Sequence, residues 1–314
     1  MTALFERALE RLRSEGDLSP SDMRGLSDMG TASAARARSA WGGLSVERRR
    51  TAMQLAGTLA DKHIELNFDR LAEIGLHDSD PVVRRQAVAN LWECQDASLP
   101  QQFLGLLESD TDEGVREEAA RALGRFVLEM EQEESVGEVR PRLERALLSA
   151  LQSSHEGLKL RALESLGFSS RPQVPRAIQD AYDSGGEEAR RASLLAMGRS
   201  GERRWREAVM AELRSPSPAV RREAAHAAGE LELRSAVPEL IELIDDVDHG
   251  VQLEAIWSLG EIGGRTAERA LLRAQRSAGE ETTERAFQEA LEHLAFIEST
   301  RDLEAALRAR EDSN

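Results

Sequence analysis

The chain has 314 residues and a formal charge of −16, with 57 Asp and Glu against 41 Lys and Arg. That balance opposes sequence-independent nucleic-acid binding, which needs a basic stripe to displace counterions from phosphates. Aromatic residues make up only 4%; a chain so poor in them favours closely packed helices over sheets built from β-branched and aromatic side chains.

The N-terminus, Met1-Thr2-Ala3-Leu4-Phe5-Glu6-Arg7, is charged and lacks the apolar run of a secretory leader. No stretch reaches the ~20 apolar residues of a membrane span. The single cysteine, Cys94, excludes an intrachain disulfide and fits a reducing compartment, so a cytoplasmic protein is expected. Without a basic neighbour to lower its pKa, Cys94 reads as a packing residue.

Residues 3–14 predict an amphipathic helix with Leu4, Ala8, Leu9 and Leu12 on one side, and Ser19-Pro20 opens a second short helix. Residues 1–43 follow no repeat and are expected to form an N-terminal cap; Trp41 is expected to pack beneath the first repeat. From 44 to 298 the chain alternates two kinds of helix. First helices are predicted near 67–77, 98–108, 139–152, 173–183, 203–214, 236–244 and 265–277. Second helices are predicted near 46–60, 81–93, 114–128, 157–168, 187–199, 218–231, 249–262 and 281–296. The pair at 203–231 shows why. Trp205, Val209 and Leu213 fall four apart on one face, Ser217 and Pro218 start the next helix, and Val220, Ala224, Ala227, Ala228 and Leu231 turn inward. Turns carry Asp78-Ser79-Asp80-Pro81, Asp110-Thr111-Asp112, Ser184-Gly185-Gly186 and Asp245-Asp246-Val247-Asp248, whose Asp and Ser can cap the following helices. An acidic insertion near 129–138 is either an extended helix end or a mobile loop, and 299–314 is expected to be a C-terminal helix with a frayed tail.

One pattern recurs through these helices. Val115-Arg116-Glu117-Glu118-Ala119-Ala120-Arg121-Ala122-Leu123-Gly124 shows it whole, as do the stretches from Val220 to Gly229 and from Val251 to Gly260, and weaker copies end at Gly57, Trp92, Gly167, Gly198 and Glu292. The last seven copies are spaced by 32, 43, 31, 31, 31 and 32 residues, the signature of a stacked repeat array. Trp92 stands where other copies have Gly and is expected to fill the wider neighbouring step. The basic residue that follows the apolar start, at Arg84, Arg116, Lys159, Arg190 and Arg221, suggests a ladder to turn carboxylates of the next repeat.

Asp80-Pro81-Val82-Val83-Arg84, with Ala and a Leu-Gly pair following in most copies, resembles the HEAT repeat, in the short subclass shared with phycobilisome-lyase-like proteins. The resemblance implies an all-α, right-handed α-solenoid of about eight helical hairpins with atypical terminal caps, whose second helices line a concave face. It also implies a scaffold: a non-catalytic adaptor that holds another protein, with no cofactor expected. Two alternatives come with the family, a maturation or lyase role like that of bilin lyases, and a di-iron site like that of deoxyhypusine hydroxylase. The second requires several His and carboxylates converging, and this chain offers one His155-Glu156 pair in a predicted turn. No phosphate loop, nucleophile–base pair or metal-ligand spacing emerges.

Register gives the candidate site. Six residues after each apolar start stand Ala89, Arg121, Glu164, Leu195, His226, Trp257 and Glu289. Ten after it stand Glu93, Arg125, Phe168, Arg199, Glu230, Glu261 and His293. Leu195, His226 and Trp257, with Leu253 on the same face as Trp257, form an apolar stretch beside Phe168 and rimmed by Arg199, Glu230 and Glu261. Trp257 is then an exposed anchor for a partner protein or a core residue between repeats, and both readings stand, since one residue of register turns a helix by ~100°.

Overall fold

The computed structural model describes residues 2–132, 139–276 and 279–311. Every regular element among them is helical: α1 (Thr2–Arg13), α2 (Pro20–Met23), α3 (Thr31–Trp41), α4 (Val46–Lys62), α5 (Asp69–Gly75), α6 (Pro81–Asn90), α7 (Leu99–Ser109), α8 (Glu113–Gln132), α9 (Val139–Ala150), α10 (Glu156–Leu166), α11 (Val174–Asp183), α12 (Glu187–Arg199), α13 (Arg206–Glu212), α14 (Pro218–Glu230), α15 (Val237–Leu243), α16 (His249–Ile262), α17 (Arg265–Gln275) and α18 (Glu281–Glu311). No described helix is long and apolar enough to cross a membrane.

The helices form two compact units, residues 1–165 and 166–314. In the first, α4 packs on α6 and α6 on α8, while α3 packs on α5 and α7 on α9. In the second, α12 packs on α14, α14 on α16 and α16 on α18, with α15 on α17. Second helices therefore stack on second helices and first on first, which is the arrangement of an α-solenoid. The α3 helix packs on α5 as one first helix packs on the next, and α1 packs on α2, on the 3-10 turn Arg24–Leu26 and on α3. Phe5, Ala8, Leu9 and Leu12 of α1 are buried, but Leu4, expected beside them, is exposed. The backbone explains it: the Leu4 carbonyl lies so close over Gly25 that no Cβ would fit there, and its side chain is left outside.

Capping follows the turn residues except at α12, where Ser184 donates back to the Ala181 carbonyl and the N-cap is Gly186, with no side chain to offer. The side chains of Ser45, Asp80, Asp112, Ser217 and Asp248 accept backbone N–H bonds from the residue three ahead. Trp205, Val209 and Leu213 are buried on one side of the hairpin and Val220, Ala224, Ala227, Ala228 and Leu231 on the other. Each buried Val or Leu side chain contributes about 1.5–3 kcal/mol. Trp41 is buried and its Nε1–H donates to Asp78 Oδ2 at 2.5 Å.

The expected Arg ladder exists in part. Arg84 grips Asp110 through two bonds of 2.7 Å, and Arg221 grips Asp246 through two of 2.8 Å. Arg49 also reaches an Asp, its Nε 2.8 Å from Asp78 Oδ2, but without the paired bonds: its two terminal nitrogens donate to the Leu44 carbonyl and the Ser79 hydroxyl. Each of these Asp residues also accepts the N–H of the capping Asp two positions on. Arg116 instead donates to the Leu107 carbonyl, Lys159 pairs within its own helix with Glu156, and Arg190 reaches Glu212 at 3.3 Å.

Three further expectations meet a correction or a limit. Trp92 fills no seam: α6 ends at Asn90, and Trp92 is 57% exposed on the turn beyond. The acidic insertion begins as helix, because α8 continues through Glu129–Gln132; residues 133–138 lie outside the described residues. The helix expected from 299 is not separate, since α18 runs unbroken from Glu281 to Glu311, and residues 312–314 again lie outside the description. Cys94 is buried, and burial pushes its thiol up to about 11, which suits packing and not reactivity.

Candidate docking face on the second helices

Small residues set how closely the second helices approach. A Cβ on Gly229 would stand 3.1 Å from the Ser258 Cα and 2.7 Å from Cζ3 of Trp257. The Ser258 hydroxyl, fully buried, donates to the Ala225 carbonyl of α14 at 2.7 Å, sharing its proton with the Glu254 carbonyl. In the first unit Gly124 lies against Ser165, whose hydroxyl donates to the Ala120 carbonyl at 2.8 Å. One pair of positions in the repeat, a Gly facing a Ser or Ala of the next second helix, thus brings backbones together and fixes the register of the outward side chains.

In the second unit that register places the expected row. Leu195 of α12, His226 of α14 and Leu253 and Trp257 of α16 are all half-buried. The imidazole of His226 stacks on the indole of Trp257, ring centres 4.8 Å apart and planes inclined by 18°. Trp257 therefore belongs wholly to neither reading: the ring lies against Gly229 and His226 and keeps the smaller part of its surface exposed. Phe168, in the turn after α10, is half-buried under the Arg199 guanidinium, 4.8 Å from its ring centre. Glu230 is exposed at the end of α14, and Glu261 of α16 lies 3.1 Å from His293 Nε2 on α18. Of the expected row, the structure brings His226 and Trp257 into contact, with Leu195 and Leu253 partly exposed on α12 and α16.

One partner in this row escaped the sequence. His226 Nδ1 lies 2.8 Å from Glu254 Oε1; the carboxylate accepts, so Nδ1 carries the proton. Nε2 faces Glu230 at 3.7 Å. Burial disfavours the charged ring, but the Glu254 bond and the charges of Glu254, Glu230 and Glu223 outweigh it, and the imidazole titrates above its usual value. Glu254 stands three residues before Trp257, the helical spacing that puts two side chains on one face, and that was the available signal. The other notable imidazole, His155, accepts the Leu158 N–H at 3.4 Å as a helix cap and lies between Glu113 and Glu117 of α8.

A stack of helix pairs with a capping Asp, a following basic residue and a Gly–small seam defines a helical-repeat protein. The HEAT-repeat family model matches residues 68–145 and 206–292, more than half of the chain, and the protein belongs to that family. No curated protein matches it in sequence. Among solved structures it is similar to YibA of Escherichia coli (11% identity over 90% of this chain and 98% of that one, TM-score 0.47). It is also similar to the complex of CpcE and CpcF of phycocyanin lyase from Nostoc sp. PCC7120 (19% identity, 72% and 94%, TM-score 0.49). A third likeness is to human deoxyhypusine hydroxylase (20% identity, 94% and 96%, TM-score 0.31).

Proposed function

We propose that the protein is a non-catalytic scaffold that holds another protein along the second-helix face of its second unit. The observation that carries this reading is the partly exposed Trp257–His226 stack, held at a fixed register between α14 and α16. Binding energy at interfaces concentrates in a few aromatic or Arg anchors surrounded by polar groups that exclude water. Trp257 is the anchor here, Leu195 and Leu253 extend the apolar floor, and Arg199, Glu230 and Glu261 form the rim, with Phe168 beneath Arg199. A rigid ring with two rotatable bonds loses little entropy when a partner covers it. The repeat array supplies the length of surface, and the side chains named here perform no chemistry of their own.

The test is capture of partners by the purified full chain, compared with a Trp257→Ala, Leu195→Asp double variant whose helicity and melting match the parent. Loss of the captured protein supports the face. Unchanged capture by the folded double variant rejects it.

A further inference from the structure

The first unit carries an exposed aromatic anchor of its own. Trp92 is 57% exposed and Ile64 wholly so, and both line one cleft of about 940 Å³ between the C-terminal ends of α4 and α6. Large apolar side chains gathered at one concavity, and not scattered singly, mark an interaction surface. The turn that carries Trp92 is fixed: the Arg125 guanidinium of α8 donates to the carbonyls of Trp92 and Cys94, while the flanking Leu91 and Cys94 side chains are buried. The indole is therefore presented on a backbone that does not have to be ordered when something docks.

Charge says what would dock. The ionisable residues lining the cleft are Asp61, Glu65, Asp69 and Glu93 against Lys62 alone. Asp61, Glu65 and Glu93 are exposed, and Asp61 and Glu93 have no ion-pair partner among the described residues. An aromatic face beside unpaired carboxylates attracts a guanidinium or ammonium group twice, through the ring quadrupole and through the carboxylates. We propose that this cleft of the first unit is a docking site for a cationic peptide segment, one in which Arg or Lys alternates with aliphatic residues, the cations meeting Trp92, Asp61 and Glu93 and the aliphatic groups covering Ile64. The occupant is a partner distinct from whatever covers Trp257.

The probe is a short fluorescein-labelled peptide alternating arginine and leucine, titrated into the full chain and read by anisotropy. A protein of charge −16 attracts such a peptide unspecifically, so the decisive comparisons are between variants. Trp92→Ala and the Asp61→Lys, Glu93→Lys double variant alter exposed side chains and leave the fold intact. Each is expected to weaken binding by about tenfold or more. Trp257→Ala is expected to leave it unchanged, so a failure here is separate from a failure of the scaffold face. Equal affinity for the glutamate–leucine counterpart, absence of binding by the parent, or undiminished binding by Trp92→Ala would each overturn the proposal. So would a Trp92→Ala variant that sediments as a smaller species than the parent, because the cleft would then be filled by a second copy of the chain.

Discussion

Replacing Asp246 by Ala tests whether the Arg–Asp ladder holds the second unit together. The carboxylate accepts two bonds of 2.8 Å from Arg221 and a third of 2.8 Å from the Asp248 N–H. The two side chains are only 12% and 8% exposed, so the pair is mostly shielded from water. Breaking a fully buried pair costs about 3–5 kcal/mol. Arg221 is not stranded in the variant, because it keeps the Ser215 and Pro216 carbonyls at 2.8 and 3.3 Å. The expected loss is therefore nearer the scale of one charged hydrogen-bonding group, about 2–3 kcal/mol at neutral pH. The pH dependence has a definite sign. The Arg221 hydrogen bond holds the Asp246 carboxyl below its ordinary 3.8, so its stabilisation is present above that value and fades as pH falls through the lower folded value. The difference between parent and variant must then be smaller at pH 3 than at pH 7. Urea unfolding followed by circular dichroism measures the total. Because long repeat arrays can lose two-state behaviour, amide exchange in α14 and α16 measures the local part. A deficit under about 0.5 kcal/mol, on the scale of an ordinary surface substitution, or one that grows on acidification, would refute the reasoning.

Three other perturbations separate the remaining elements. Gly167→Ala would place a Cβ 2.8 Å from the Ala196 Cα and 3.0 Å from its carbonyl oxygen, so the α12 backbone must shift; a cost of about 1–3 kcal/mol is expected in thermal unfolding. Gly42→Ala, with nothing within 4 Å, is the control and should stay within about 0.5 kcal/mol. Ser258→Ala leaves the Ala225 carbonyl without that hydroxyl donor and should cost about 1 kcal/mol, and a neutral result would show the seam is held by packing alone. His226 titrates above its usual value, so the stabilisation it gains on protonation is complete below that value and lost as pH rises through the folded one. The fluorescence of Trp257, on which it stacks, should change over the same range, and His226→Gln should abolish that transition. A transition that survives the substitution assigns it to another group.

The helices were legible because two local signals coincide in most second helices, a 3.6-residue apolar period and a capping Asp or Ser at its start. The ladder was only half legible, and its rule is a matter of spacing. In three cases the Arg stands four residues after its own cap and the Asp two before the next cap: Arg49 with Asp78, Arg84 with Asp110, Arg221 with Asp246; Arg50, one position further on, grips the capping Asp80 itself. Where that second position holds Ser153 or Ser215, Arg116 and Arg190 turn to a carbonyl and to Glu212 instead. Trp92 misled because the helix was expected to reach 93. With α6 stopping at Asn90, it is the Asn90 amide that crowds Gly57 and donates to the Met53 carbonyl at 2.9 Å, and the indole is left for solvent. Trp257 shows the limit itself. Its exposure is decided by what stands opposite on α14, a Gly that admits the edge of the ring and a His that stacks on it. Neither fact belongs to the helix that carries the Trp. The sequence of one helix states which residues lie on a face; only the register of its neighbour states how much of that face is left open, and here the smaller part of the Trp257 surface stays open.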